Sequence, residues 1–232
     1  MEWTLKANIE RIRNNIAEVA LRSGRQASEI RLMAVTKAVG ESRIREAIEA
    51  GVDIIGENYV QEVKRKIEKI GKHIEWHMIG HLQTNKAKYA VGLFDMIHSV
   101  DRMTLAVELD RRSKALGHLT RVLIEVNISG EKAKSGVPLE ETLPLIRDMS
   151  TLENLLICGL MTMPPWFDDP EKARPYFMAL RQLRDGVVEE QIERVEMREL
   201  SMGMSADYRV AIEEGATIVR IGRKIFGDRI AS

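Results

Sequence analysis

The chain has 232 residues, a single cysteine, and 35 lysines and arginines against 35 aspartates and glutamates. A zero balance permits a broad basic surface only with an equal acidic one elsewhere, which argues against non-specific binding through nucleic-acid phosphates, and a lone thiol, Cys158, makes neither an intramolecular disulfide nor a CxxC centre. The longest apolar runs, such as 155–161, fall far short of the roughly 18 residues that span a bilayer.

Residues 1–6 show no basic region leading into an apolar one, so no signal peptide is read and a reducing, cytoplasmic setting is expected. A leading amphipathic helix is predicted over residues 4–23, where Leu5, Ile9, Ile12, Ile16, Val19 and Ala20 recur at intervals of three and four. This helix and the preceding Trp3 either cover the body of the protein or meet a neighbour. Beyond it, short runs rich in β-branched residues alternate with longer amphipathic ones. Strands are expected at 31–37, 53–58, 75–80, 96–100, 121–128, 155–162, 199–204 and 217–222. Helices are expected between them at 41–50, 59–70, 84–91, 102–116, 139–149, 170–192 and 206–214.

Strict strand–helix alternation implies an α/β fold with a parallel sheet under covering helices. Eight strands in a chain close to the usual ~250 residues favour closure into a single (β/α)8 TIM barrel. The rival open, doubly wound sheet carries a glycine-rich loop after its first strand. Here that strand ends Val35-Thr36-Lys37-Ala38-Val39-Gly40, with one glycine. No linker rich in proline, glycine and serine interrupts the chain, and Pro164-Pro165 reads as a shaped loop. One domain over 1–232 is expected.

In such a barrel the functional face is the C-terminal end of the strands. Lys37 ends the apolar run 32–35, so its amine emerges at the mouth against apolar walls. Desolvation there favours the neutral amine, the form that condenses with an aldehyde, although a lysine that merely snorkels at a strand end occupies the same position. The loops after the seventh and eighth strands read Ser201-Met202-Gly203-Met204-Ser205 and Arg220-Ile221-Gly222-Arg223-Lys224. Glycines that free backbone N–H groups beside basic side chains suit a phosphate, and barrels place phosphate sites at these two loops. Taken singly, each glycine is also an ordinary turn and Ser205 an ordinary helix cap. Together with Lys37 they describe a phosphorylated aldehyde, pyridoxal phosphate. Asn58, at the end of the second strand, offers an amide to a ring hydroxyl, with Tyr59 as a wall. His77 and His81 lack a third convincing metal ligand and read as hydrogen-bonded histidines.

Beyond these positions, the segments Ala34-Val35-Thr36-Lys37, Gly56-Glu57-Asn58-Tyr59, Trp76-His77, Ser99-Val100-Asp101-Arg102, Lys134-Ser135-Gly136, Leu200-Ser201-Met202-Gly203-Met204-Ser205 and Val219-Arg220-Ile221-Gly222 together resemble the pyridoxal-phosphate homeostasis proteins over nearly the whole chain. The resemblance implies a fold-type III barrel like the N-terminal domain of alanine racemase, with Lys37 as the Schiff-base lysine. It also implies phosphate contacts from Ser201, the backbone near Met202, Gly222 and Arg223, and Arg220 facing the pyridine nitrogen. A permanent cation there disfavours protonating that nitrogen and weakens the ring as an electron sink. Many relatives carry a lysine and a proline where this chain has Val39 and Gly40, and often a proline at the position of His81. Lys134 matches a further lysine of the family.

Two functional classes compete. A carrier holds pyridoxal phosphate reversibly through Lys37 and hands it to apo-enzymes, whereas an amino-acid racemase needs two opposed bases around the α-carbon. Fold-type III racemases complete that site with a second domain, for which this chain is expected to have no room. The expectation is therefore a monomeric carrier with no membrane or nucleic-acid partner. A barrel enzyme using His77, His81 and Asp101 for a metal or phosphosugar is the third possibility.

Overall fold

The computed structural model describes residues 4–131 and 134–227, so Trp3 lies outside the described residues. Its strand runs are buried along most of their length, as parallel strands beneath covering helices must be. They are β1 (Arg31–Val35), β2 (Ile54–Glu57), β3 (Glu75–Met78), β4 (Met96–Val100), β5 (Thr120–Asn127), β6 (Leu155–Met161), β7 (Val195–Met204) and β8 (Ile218–Ile221). All neighbours are parallel, β4 pairs with β5, and β1 pairs with both β2 and β8, which closes the eight into a ring. A two-residue strand, Val137–Pro138, adds to β5 outside that ring.

The register decides what faces inward. Met33 is level with Ile54 on one side and Arg220 on the other, while Gly56 is level with His77. Residues level with one another in a parallel sheet share a face. Met33, Ile54 and Ile218 form a small cluster separate from the main core, and Met96, Leu123, Cys158 and Met161 form another. The main core is the shell between barrel and helices.

That shell is closed by α1 (Leu5–Arg22), α2 (Glu41–Glu49), α3 (Val60–Ile70), α4 (Ala87–Ala90), α5 (Met103–Leu116), α6 (Leu139–Met149), α7 (Arg174–Glu189), α8 (Tyr208–Glu213) and α9 (Arg223–Phe226). The leading helix is capped by Thr4, whose hydroxyl accepts the N–H of Ala7. It covers the barrel: its apolar stripe is buried, and the Asn8 amide donates to the carbonyl of Ile225 at 3.1 Å. Three predicted helices begin late, the one expected from 84 starting at Ala87 after a 3₁₀ turn, Thr84–Lys86. Residues 170–173 form a 3₁₀ turn ahead of α7. The helix expected from 206 starts at Tyr208, because the Asp207 carboxylate accepts the N–H of Met204 at 2.6 Å and holds 204–207 as a turn. No helix among the described residues is long and apolar enough to cross a membrane.

Candidate functional site

Beyond the C-terminal ends of the strands opens a cavity of about 510 Å³, within the usual range for small-molecule sites. Lys37, Asn58 and Arg220, three of the residues singled out from the sequence, line it together.

Lys37 is half-buried and held from both sides. Before it, the fully buried Thr36 bonds through its hydroxyl to the Glu57 carboxylate, and its carbonyl accepts from the Lys66 ammonium at 2.7 Å. Lys66 also pairs with Glu57 at 2.6 Å and Glu62 at 2.7 Å. After it, Ala38 takes a left-handed φ of 59°, and its N–H donates to Glu62 at 2.9 Å. A left-handed alanine costs roughly 1–2 kcal/mol, so the loop is bent at Lys37 by its surroundings rather than by local preference.

Arg220 is buried on β8. Its Nη1 donates to the carbonyl of Ser201 at 2.6 Å and to the Ser201 hydroxyl at 2.8 Å, and its Nη2 donates to the carbonyl of Thr162 at 2.8 Å. Burial pulls its guanidinium down to about 10, against the attraction of Asp207 and Glu125, so it remains a cation at neutral pH.

Other expected contacts are displaced. Ser201, expected at the phosphate, is fully buried, and its hydroxyl engages His98 and Arg220 inside the barrel. The Met202 side chain is core. Ser205 is the partly open hydroxyl of that loop, and it accepts the backbone N–H of Lys224 at 3.4 Å, tying the last two strand-exit loops together. Gly222 sits at the end of β8 beside Val35, where an added Cβ would stand 3.5 Å from that residue, and Arg223 next to it is exposed. Tyr59 is also exposed, 62% open, and is not among the cavity-lining residues.

Glu125 was not picked out from sequence, because an inward residue in an alternating strand looks unremarkable. It lines the cavity from β5, with Oε2 buried and without a hydrogen-bond partner. Burial, with Asp101 adding repulsion, pushes its carboxyl up to about 7 despite Arg220 and Arg102. His81 and Lys134 line the same cavity; His81 meets the Ser135 hydroxyl at 3.3 Å and Lys134 pairs with Glu131 at 2.7 Å.

The metal alternative loses its geometry. His77 is fully buried between Glu75 and His98, and no group of three metal-ligating side chains occurs among the described residues. A second cleft, about 640 Å³, borders Arg31 and Thr217, where β1 and β8 begin. Its four arginines already pair with Glu29, Glu75, Asp185 and Glu196.

The family described as alanine racemase, N-terminal domain, matches residues 7–230. A pyridoxal phosphate homeostasis protein of Aquifex aeolicus is 45% identical over 222 residues, 95% of this chain and 96% of that protein. An unknown protein from Bifidobacterium adolescentis superposes with a TM-score of 0.90 at 37% identity, covering 96% of this chain and 94% of that one. PipY of Synechococcus elongatus, solved with PLP bound, superposes with a TM-score of 0.80 at 36% identity, covering 91% of this chain and all of that one (100%).

Proposed function

Because this chain belongs to the alanine racemase N-terminal domain family, and within it to the pyridoxal phosphate homeostasis proteins, we propose that its mouth cavity binds pyridoxal 5′-phosphate and that the protein stores and supplies this cofactor in the cytoplasm. The observation that carries the reading is the convergence of Lys37 and the buried Arg220 on a cavity of cofactor size.

The residues present fit the group. When bound, pyridoxal phosphate supplies an aldehyde that condenses with a primary amine and loses water. Lys37 presents that amine from a braced loop. Arg220 carries donors only, so a ring nitrogen facing it is kept an unprotonated acceptor. Asn58 offers an amide from the end of β2. The phosphate falls to the paired exit loops, through Ser205, the backbone following Met202, Gly222 and Arg223, with Lys224 adding positive potential.

Supply to apo-enzymes rather than turnover is supported by the relatives, which are named for homeostasis and not for a reaction. Incubation with pyridoxal phosphate should give a visible absorbance band that is absent from Lys37→Ala. A wild-type protein that stays colourless overturns the binding reading. With amino acids added, optical activity should persist, and a recipient apo-enzyme should regain activity from the loaded protein. Sustained racemisation that requires Lys37 overturns the carrier reading.

A further inference from the structure

A chain of side chains crosses the barrel interior from the start of β3 to the cavity floor. Glu75 Oε2 lies 2.8 Å from His77 Nε2, His77 Nδ1 lies 2.9 Å from His98 Nε2, His98 Nδ1 lies 3.0 Å from Ser201 Oγ, and Arg220 Nη1 donates to Ser201 Oγ at 2.8 Å. His77, His98 and Ser201 are fully buried. The strands dictate this placement: Glu75 and His77 are two apart on β3 and share the inward face, and His98 is two residues beyond Met96, which is level with His77.

The ends of the chain fix its direction. A guanidinium only donates and a carboxylate only accepts, while a neutral imidazole has one donor and one acceptor. With both rings neutral, one arrangement satisfies all four contacts. Arg220 donates to the Ser201 oxygen, the Ser201 hydroxyl donates to His98 Nδ1, His98 Nε2–H donates to His77 Nδ1, and His77 Nε2–H donates to Glu75. Burial, with Arg31 facing both rings, Arg121 facing His77 and Arg220 facing His98, disfavours a positive charge on either histidine; Glu75 opposes this only at His77. Glu75 itself is held ionised, its carboxyl down to about 2, by its bond to His77 and by Arg31 and Arg121.

We propose that Glu75, His77, His98 and Ser201 are positioning residues forming a one-way hydrogen-bond chain that locks the Arg220 guanidinium at the cavity floor and keeps the Ser201 hydroxyl proton turned away from any ligand. Among the described residues no carboxylate hydrogen-bonds the guanidinium of Arg220; its three contacts there are two carbonyls and this hydroxyl. The chain therefore transmits the negative charge of Glu75 to Arg220 by successive polarisation. The part of the inference that concerns bound cofactor rests on the function proposed above, whereas the chain itself is testable without ligand.

In the ligand-free protein, nitrogen NMR should show both His77 and His98 neutral with the proton on Nε2 between about pH 5 and 8, where ordinary histidines titrate. A protonated His77, or a proton on His98 Nδ1, reverses the chain and overturns the proposal. In the same protein, His98→Leu or Ser201→Ala should speed exchange of the Arg220 guanidinium hydrogens. His98→Gln, which offers an acceptor oxygen and a donor N–H, should restore slow exchange. Ser201→Ala is the variant to rely on if His98→Leu does not fold. After loading, His98→Leu or Ser201→Ala should weaken pyridoxal phosphate binding by about tenfold and move the pH midpoint of its visible band, with His98→Gln close to wild type. Unchanged exchange in both breaking variants overturns the positioning role. If wild type binds no pyridoxal phosphate, the proposed function fails while the NMR outcomes still decide the chain.

Discussion

The Lys66 ammonium reaches from α3 to the main-chain carbonyl of Thr36 at 2.7 Å, one residue before Lys37. Of its two carboxylate partners, Glu57 is 0% exposed and Glu62 29%, while Lys66 itself is only 6% exposed. A buried pair of this kind is most costly when half of it is removed. Lys66→Met should therefore destabilise the protein by about 3–5 kcal/mol in urea titrations, and pairing it with Glu57→Leu should recover most of the loss. A single-variant loss below about 1 kcal/mol, the scale of an exposed ion pair, contradicts this account.

Glu125 makes stability depend on pH. Its carboxyl rises from an ordinary 4.5 to about 7 in the folded protein, chiefly by burial. Below the lower value both folded and unfolded chains hold the proton. Between the two values only the folded chain does, so this contribution to stability is lost as pH rises and is gone above about 7. Glu125→Gln mimics the protonated acid. Denaturation of ligand-free protein should find the variant and wild type alike near pH 4.5, and the variant more stable by up to about 3 kcal/mol near pH 8. An offset that does not vary with pH argues against it.

Two glycines call for opposite outcomes. A methyl group at Gly80 would come within 2.5 Å of the Asn58 carbonyl oxygen, so Gly80→Ala should displace the end of β2 and weaken pyridoxal phosphate binding. At Gly186, within α7, an added Cβ meets nothing within 4 Å. Gly186→Ala should stabilise by about 0.5–1 kcal/mol, a rise of about 1–4 °C in Tm for a chain this size, without altering binding.

Cys158 is buried inside the barrel, and its thiol is pushed up to about 11 by desolvation. Alkylation at mildly alkaline pH should be slow in the native protein and fast in urea, because the thiolate is the reactive form. Equal rates in both states would place this residue at the surface.

Much of this was legible because each strand ends where its chemistry begins. The runs 96–100 and 139–149 form elements with the bounds expected of them. β7 starts at Val195, four residues earlier than expected, because the charged stretch Glu196-Met197-Arg198-Glu199, with Met197 at a φ of 49°, does not alternate like a strand. Lys37, Asn58 and Arg220 were recoverable as strand-end residues. The inward contact of the Ser201 hydroxyl was not legible, because its partner there, His98, is 103 positions away. Contacts across a barrel leave no local pattern.

The seam between α1 and α9 imposes an order of synthesis. Asn8 and its acceptor, Ile225, are 217 residues apart, and β1 has no β8 beside it until residues 218–221 are made. At ~5–20 residues per second, the leading helix emerges tens of seconds before the surface that covers its apolar stripe. Seven strands are made only once residue 204 is added, so the barrel stays open until 218–221 follow, and the cofactor cavity, bounded by the last strand, is completed near the end of translation. Ribosome stalling in the final tenth of the message should leave a chain that holds most of its helices and cannot take up its ligand.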